Sequence, residues 1–413
     1  ERVSQNLEQQ FLASSRPHIV MVTNHGMHDW QVDAGLPDTG GQNVYVNQLS
    51  ETLVRLGFRV TIYNRGGYAN PKTGAERRGT FYRNGSERLT YLEDSKREFV
   101  RKEEMAPRVE ELALHLAKLL RAAPAPVALV THYWDGAAVG LRATESLGLN
   151  LPHIWIPHSL GALKKEGTPE EQWEALRIDE RIEWEKDLLR RVDLIGATSQ
   201  AMRRTLLDHH GKKDALFLPP CVDEHRFDPE RARQDTSARA LLAEATGIDP
   251  RQIAERRIIT EVSRTDRTKR KDILIEAFSR VHRSYPDVLL AVTIDSNVPE
   301  LYRELTALIR ERGIEKSVAV LGSIWEYLPS LYGMTSIYCT PSVMEGFGMS
   351  IQEAAACGVP AVSSTRVPFA VEHLLEQEVE RRGVGEGDEF ITIGSGAIVV
   401  PADNVPEIGR AHV

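Results

Sequence analysis

Ile258-Ile259-Thr260-Glu261-Val262-Ser263-Arg264-Thr265-Asp266-Arg267-Thr268-Lys269-Arg270-Lys271 is a short apolar, β-rich run that breaks into a basic turn and opens a helical pattern. Working outward, the same unit recurs. Short runs at His18–Val22, Arg59–Tyr63, Leu129–Tyr133, Ile154–Ile156, Leu194–Thr198 and Leu216–Leu218 alternate with longer helical patterns. They resume at Leu289–Ile294, Val318–Leu321, Ile337–Thr340, Ala361–Ser363 and Ala397–Val400. Alternation of this kind predicts an α/β chain of βαβ units with parallel, doubly wound sheets. At 413 residues the chain is too long for one core and suits two domains of roughly 200 residues each. Pro219-Pro220 stops a strand, and Arg226-Phe227-Asp228-Pro229 reads as a turn-rich linker. The expected domains are therefore residues 1–225 and 226–413, Rossmann-like and facing across a cleft, where ligands sit at the carboxyl ends of the strands.

Composition narrows the function. The net charge of -8 argues against nucleic acid as a partner. Cys221, Cys339 and Cys357 are scattered without a CxxC, which argues against a disulfide framework or structural zinc and fits a reducing compartment, the cytoplasm. No apolar run approaches about 18 residues, so no membrane span is expected, and Glu1–Arg16 lacks a signal peptide's apolar stretch. Gly383-Val384-Gly385-Glu386-Gly387 follows charged residues, not a strand, and reads as a flexible turn.

Four constellations carry chemistry. Asp38-Thr39-Gly40-Gly41-Gln42 follows the first strand and begins a helix; its glycines let backbone N–H groups approach a phosphate or sugar. The turn Ser263–Lys271 places five cations in nine residues of an acidic chain, and Arg264 and Lys269 can neutralise a leaving diphosphate without a metal. In Glu345-Gly346-Phe347-Gly348-Met349-Ser350-Ile351-Gln352-Glu353 the carboxylates are eight positions apart, Glu345 in a loop and Glu353 one turn into a helix. Either a sugar-diol contact or an acid/base pair is compatible with that string. Pro157-His158-Ser159-Leu160-Gly161 places a histidine at a strand end before a glycine turn.

Taken in order, these residues resemble the retaining GT-B glycosyltransferases that include sucrose synthase, sucrose-phosphate synthase and mannosylfructose-phosphate synthase. Asp38–Gln42 is similar to that family's acceptor/diphosphate loop, Thr131-His132-Tyr133-Trp134-Asp135-Gly136 to its HYxDxG segment, and His158–Gly161 to its HSLG. Pro219-Pro220-Cys221-Val222-Asp223 resembles its PPGVD segment, with Cys in place of Gly. The resemblance implies catalytic roles for His158, Glu345, Arg264 and Lys269. It implies donor binding by Gly40, Gly41, Arg264, Lys269, Glu345, Gly346, Phe347, Gly348 and Glu353, with Glu353 on the nucleotide ribose and no metal or other cofactor required. Arg181-Ile182-Glu183-Trp184-Glu185 resembles a phosphate-binding RIxxE, and Phe99-Val100-Arg101-Lys102-Glu103 a second cation source. The implied acceptor residues are Gln42, Lys102, Arg181 and Lys164, and the implied reaction moves a hexose, glucose from UDP-glucose in the sucrose-phosphate synthase pattern, onto a small sugar phosphate. Transfer to fructose or a glycerate derivative, transfer from GDP-mannose, and a catalytically silent GT-B module are the alternatives. Sugar phosphorylases share the fold, but no string offers a pyridoxal phosphate lysine. Ser364-Thr365-Arg366-Val367-Pro368-Phe369 departs from the family's GG turn, and the ten residues Asn404–Val413 are fewer than the fold's usual closing helices, so a truncated second domain is expected.

Overall fold

The computed structural model describes residues 2–33, 36–375, 377, 380–384 and 389–411. The chain divides into two compact units, Glu1–Pro219 and Pro220–Val413. The division falls at the Pro219-Pro220 step. Arg226–Pro229 is not a linker: Phe227 is buried in the second unit's core, and Asp228 caps the helix Pro229–Gln234 by accepting from the Glu230 and Arg231 N–H groups.

The first unit holds β1 (His18–Val22), β2 (Arg59–Arg65), β3 (Thr80–Asn84), β4 (Glu87–Leu92), β5 (Pro126–His132), β6 (His153–Ile156), β7 (Leu194–Ala197) and β8 (Leu216–Phe217). They form one sheet in the order β3-β4-β2-β1-β5-β6-β7-β8, parallel except for β3 against β4. The second unit holds β9 (Arg257–Glu261), β10 (Val288–Thr293), β11 (Val318–Leu321), β12 (Ile337–Thr340), β13 (Ala361–Ser364), β14 (Glu380–Val384), β15 (Glu389–Ile393) and β16 (Ala397–Val400). Their order is β11-β10-β9-β12-β13-β16-β15-β14, with the last two strands antiparallel. Apolar runs such as His18–Val22 and Val288–Thr293 are buried along their whole length, as parallel strands covered on both faces must be.

Each sheet changes direction once. The chain leaves β1 toward β2 on one side and returns to β5 on the other; β9 is flanked in the same way by β10 and β12. Loops leaving two such neighbouring strands diverge and leave a crevice at their carboxyl ends, which is where an open α/β sheet binds ligands. Gly136 lets the helix Tyr133–Ser146 press onto that end of β1, since a Cβ there would lie 2.7 Å from the Val22 carbonyl.

The β3–β4 hairpin and β14–β15 add strands that alternation of apolar runs does not reveal. β4 reads Glu-Arg-Leu-Thr-Tyr-Leu yet is wholly buried, because Glu87 accepts from the Ser50 hydroxyl at 2.6 Å and Arg88 donates to Thr61 at 2.9 Å. Gly383 and Val384 close β14 instead of forming a turn, while residues 385–387 of that glycine-rich string lie outside the described residues. Asn404–Ala411 supplies one more helix, Val405–Ala411. Among the described residues no helix is long and apolar enough to cross a membrane.

Candidate functional site

Each unit carries a polar cluster at its own direction change. In the first, the loops after β1, β5 and β6 bring four imidazoles together. His132, the last residue of β5, and His158, just past β6, are joined Nδ1 to Nε2 at 2.9 Å with their rings stacked at 28°. Burial holds His158 down at about 3 and His132 well below the ordinary histidine range, so both are neutral. His158 sits in left-handed backbone (φ 59°), and so does Tyr133 (φ 63°); such strain in bulky residues persists only where the surroundings enforce it. Asp135, fully buried, pairs through Oδ2 with His25 Nδ1 at 3.1 Å. His28 is held down at about 3, by burial first and the Arg77 charge second.

The glycine loop after β1 behaves as a helix start. The Gly40 N–H donates to Asn43 Oδ1 at 3.0 Å, which leaves Gly41 and Gln42 to supply the first-turn N–H groups that a helix cannot pair internally. The Gln42 amide donates to the Thr23 hydroxyl at 3.1 Å.

Beside this cluster lies a small hollow lined by Lys102, Glu103, Tyr133, Trp134, Lys164, Leu176, Arg177, Glu180 and Arg181. Three cations read from distant segments of sequence thus converge, and Arg177 joins them. Lys164 pairs with Glu103 at 3.2 Å, and Lys102 pairs with Asp38 at 3.0 Å. Burial alone would raise the Asp38 carboxyl, but Lys102 and His25 outweigh it and bring it down to about 2. Arg181 is more committed than a surface phosphate anchor. It donates to Glu185 at 2.7 Å, to the Tyr133 hydroxyl at 2.6 Å, and to the Ser159 carbonyl and hydroxyl at 2.6 and 2.9 Å. It therefore fixes the segment next to His158 as well as lining the hollow. Sequence reading missed Arg177; its only signal is that it stands one helical turn before Arg181.

In the second unit, the turn after β9 sorts its five cations. Arg267 pairs with Glu304, Arg270 with Asp272 and Asp403, and Lys271 is buried against Glu261, Ser263 and Thr293. Lys269 is bonded to Glu345 in the loop after β12, and Arg264 is exposed with no ion pair among the described residues. The two loops are also stitched by backbone: the Thr268 carbonyl accepts from the Val343 N–H at 2.8 Å and the Ser342 hydroxyl at 3.1 Å. Arg264 and the Lys269–Glu345 pair are thus what this turn and the loop after β12 leave near the strand ends once the other cations are paired.

Gly346 and Phe347 lead from Glu345 into Gly348, which caps the helix Met349–Ala356 with φ 105°. A Cβ on Gly348 would meet Val367 at 2.7 Å, so the departure from a glycine turn at 364–369 is packed directly against this cap. The Phe347 side chain is buried edge-on against Phe369 and His373, so a ligand contact at this residue would have to come from its backbone. Glu353 is buried, with Tyr332 O–H at 3.5 Å. Burial raises its carboxyl to about 7, against the pull of Arg226. Among the described residues no group of three or more His, Cys, Asp or Glu is arranged to hold a metal ion.

Comparison with known proteins agrees with both units. Residues 39–226 match the family described as Glycosyltransferase Family 4, and residues 248–383 match Glycosyl transferases group 1. The chain is 27% identical over 362 residues to mannosylfructose-phosphate synthase of Agrobacterium fabrum, covering 84% of this chain and 76% of that protein. It is 27% identical over 372 residues to D-inositol 3-phosphate glycosyltransferase of Corynebacterium aurimucosum, covering 86% of this chain and 81% of the relative. The solved structure of sucrose-phosphate synthase from Thermosynechococcus elongatus superposes with a TM-score of 0.75 at 24% identity, over 96% of this chain and 89% of that one, and shows the same fold. With both halves matched and the fold shared, the chain belongs to the GT-B glycosyltransferases with a group 1 domain.

Proposed function

We propose that the protein is a retaining glycosyltransferase that moves a hexose from a nucleotide sugar to a small phosphorylated sugar. The observation that carries the phosphate is the hollow on which Lys102, Lys164, Arg177 and Arg181 converge from three segments, each paired with a carboxylate, Asp38, Glu103, Glu180 and Glu185 in turn. A phosphate entering there would share or take over those cations through charge-assisted hydrogen bonds of about 1.5–3 kcal/mol each. The names of the three similar proteins, which all contain a phosphate ester, support the same reading.

On this reading Arg264 and Lys269 neutralise the leaving diphosphate, Glu345 lies against the donor hexose, Glu353 holds the ribose and His158 touches the transferred sugar. Gly40, Gly41 and Gln42 present the helix start to the phosphates or the acceptor. No carboxylate of these strings is assigned as a nucleophile, so the acceptor oxygen attacks from the face the diphosphate leaves, and a leaving phosphate oxygen takes its proton. Cationic side chains do the work a metal would otherwise do, so chelators should leave turnover unchanged. UDP-glucose and fructose 6-phosphate are the first pair to test.

The test is a panel of UDP-, ADP- and GDP-sugars against fructose 6-phosphate, fructose and glycerate, with the product's anomeric configuration read by NMR. A retained configuration on a phosphorylated product supports the proposal. An inverted product, or equal use of fructose and fructose 6-phosphate, contradicts it.

A further inference from the structure

We propose that His132 is a positioning residue that fixes the tautomer of His158, so that His158 meets its ligand as a neutral Nδ1–H donor. This rests on the reading of His158 as a sugar contact. One proton lies in the 2.9 Å bond between His132 Nδ1 and His158 Nε2, so the protonation of either ring dictates that of the other. His132 Nε2 is buried and has no hydrogen-bond partner among the described residues. An unpaired buried N–H is costlier and rarer than an unpaired acceptor. His132 therefore keeps its proton on Nδ1 and donates it, His158 accepts at Nε2, and the His158 proton lies on Nδ1.

The surroundings support this arrangement. Tyr45 packs edge-on to both rings, with centroids at 5.0 Å from His158 and 6.1 Å from His132. Asp135 bonds to His25 through Oδ2, and among the described residues no carboxylate is hydrogen-bonded to either ring. Burial keeps both rings uncharged. The left-handed backbone of His158 is held from the next residue, whose carbonyl and hydroxyl both accept from Arg181. A neutral donor fixed in this way can hydrogen-bond a sugar oxygen, with no second tautomer that would present a lone pair instead.

Protein labelled with ¹⁵N in its imidazoles reports the tautomer directly in long-range ¹H–¹⁵N spectra. His158 is expected as Nδ1–H; an Nε2–H His158 overturns the inference. His132→Leu removes the donor, whereas His132→Asn keeps an N–H near the same place. His132→Leu should lower kcat roughly 10- to 100-fold, with the acceptor KM little changed, and His132→Asn should recover most of the loss. Equal losses in the two variants, both melting cooperatively, would show a packing role only and overturn the inference. If His132→Leu does not fold, the spectrum and His132→Asn decide. A wild-type protein that transfers no sugar defeats the proposed function, whereas the spectrum still tests the tautomer by itself.

Discussion

Lys269 and Glu345 form an ion pair that joins the turn after β9 to the loop after β12. Both are partly buried, with side-chain exposures of 10% and 20%, so each partly neutralises the other until a ligand arrives. A nucleotide sugar would exchange that pairing, its diphosphate taking Lys269 and its hexose taking Glu345. Arg264, exposed and without an ion pair among the described residues, needs no such exchange.

The two cations should therefore fail differently. Arg264→Ala and Lys269→Ala should each cut turnover by at least ~10²-fold, because an unneutralised diphosphate leaves poorly. Only Lys269→Ala should also shift the melting temperature, since it leaves Glu345 without its partner. Steady-state kinetics with thermal melts checks this; near-normal turnover in two folded variants contradicts the assignment.

Lys271 stands two residues from Lys269 but belongs to the core. Its ammonium is buried against Glu261, and removing one partner of a buried pair costs about 3–5 kcal/mol. Lys271→Met should unfold at markedly lower denaturant than Arg264→Ala, which should match wild type. Equal midpoints for the two variants would show that the turn is not sorted as described.

On the proposed reading, in which Glu353 holds the ribose, nucleotide binding should be proton-linked. Its carboxyl is raised to about 7 in the folded chain against 4.5 in the unfolded one, chiefly by burial. Between those values the folded state holds a proton that the unfolded state has lost, so this residue's contribution falls as pH rises from 4.5 to 7, by about 3 kcal/mol at most. A ribose diol donating to Glu353 favours the carboxylate and should expel that proton. Titration calorimetry of UDP near pH 6 in buffers of different ionisation enthalpy should show proton release in wild type and none in Glu353→Gln. Equal release in both places the ribose elsewhere.

Much of this was legible in the sequence. The apolar runs give the parallel strands because a strand buried on both faces must be apolar throughout. β4 escaped that test because Glu87 and Arg88 are buried with partners supplied from the helix Gly41–Arg55 and from β2. Its turn, Asn84-Gly85, carried a hairpin signal all the same. The basic turn was legible as a cluster, but not which cations are free, because Glu304, Asp403 and Glu261 reach it from other elements. The His132–His158 contact spans two strands, so residue spacing carries no trace of it.

The claim that the acceptor is selected through its phosphate is tested most directly by Lys102→Ala and Arg177→Ala, with fructose 6-phosphate and with free fructose. Arg181 is the poorer probe, because its loss also strands the buried Glu185. Losing one charge-assisted contact should raise the KM for fructose 6-phosphate roughly 10- to 100-fold in either variant, each 1.4 kcal/mol being tenfold. The weak use of free fructose and the hydrolysis of donor without acceptor should stay near wild type. Equal use of both acceptors by wild type, or equal weakening of both by the substitutions, would contradict the account.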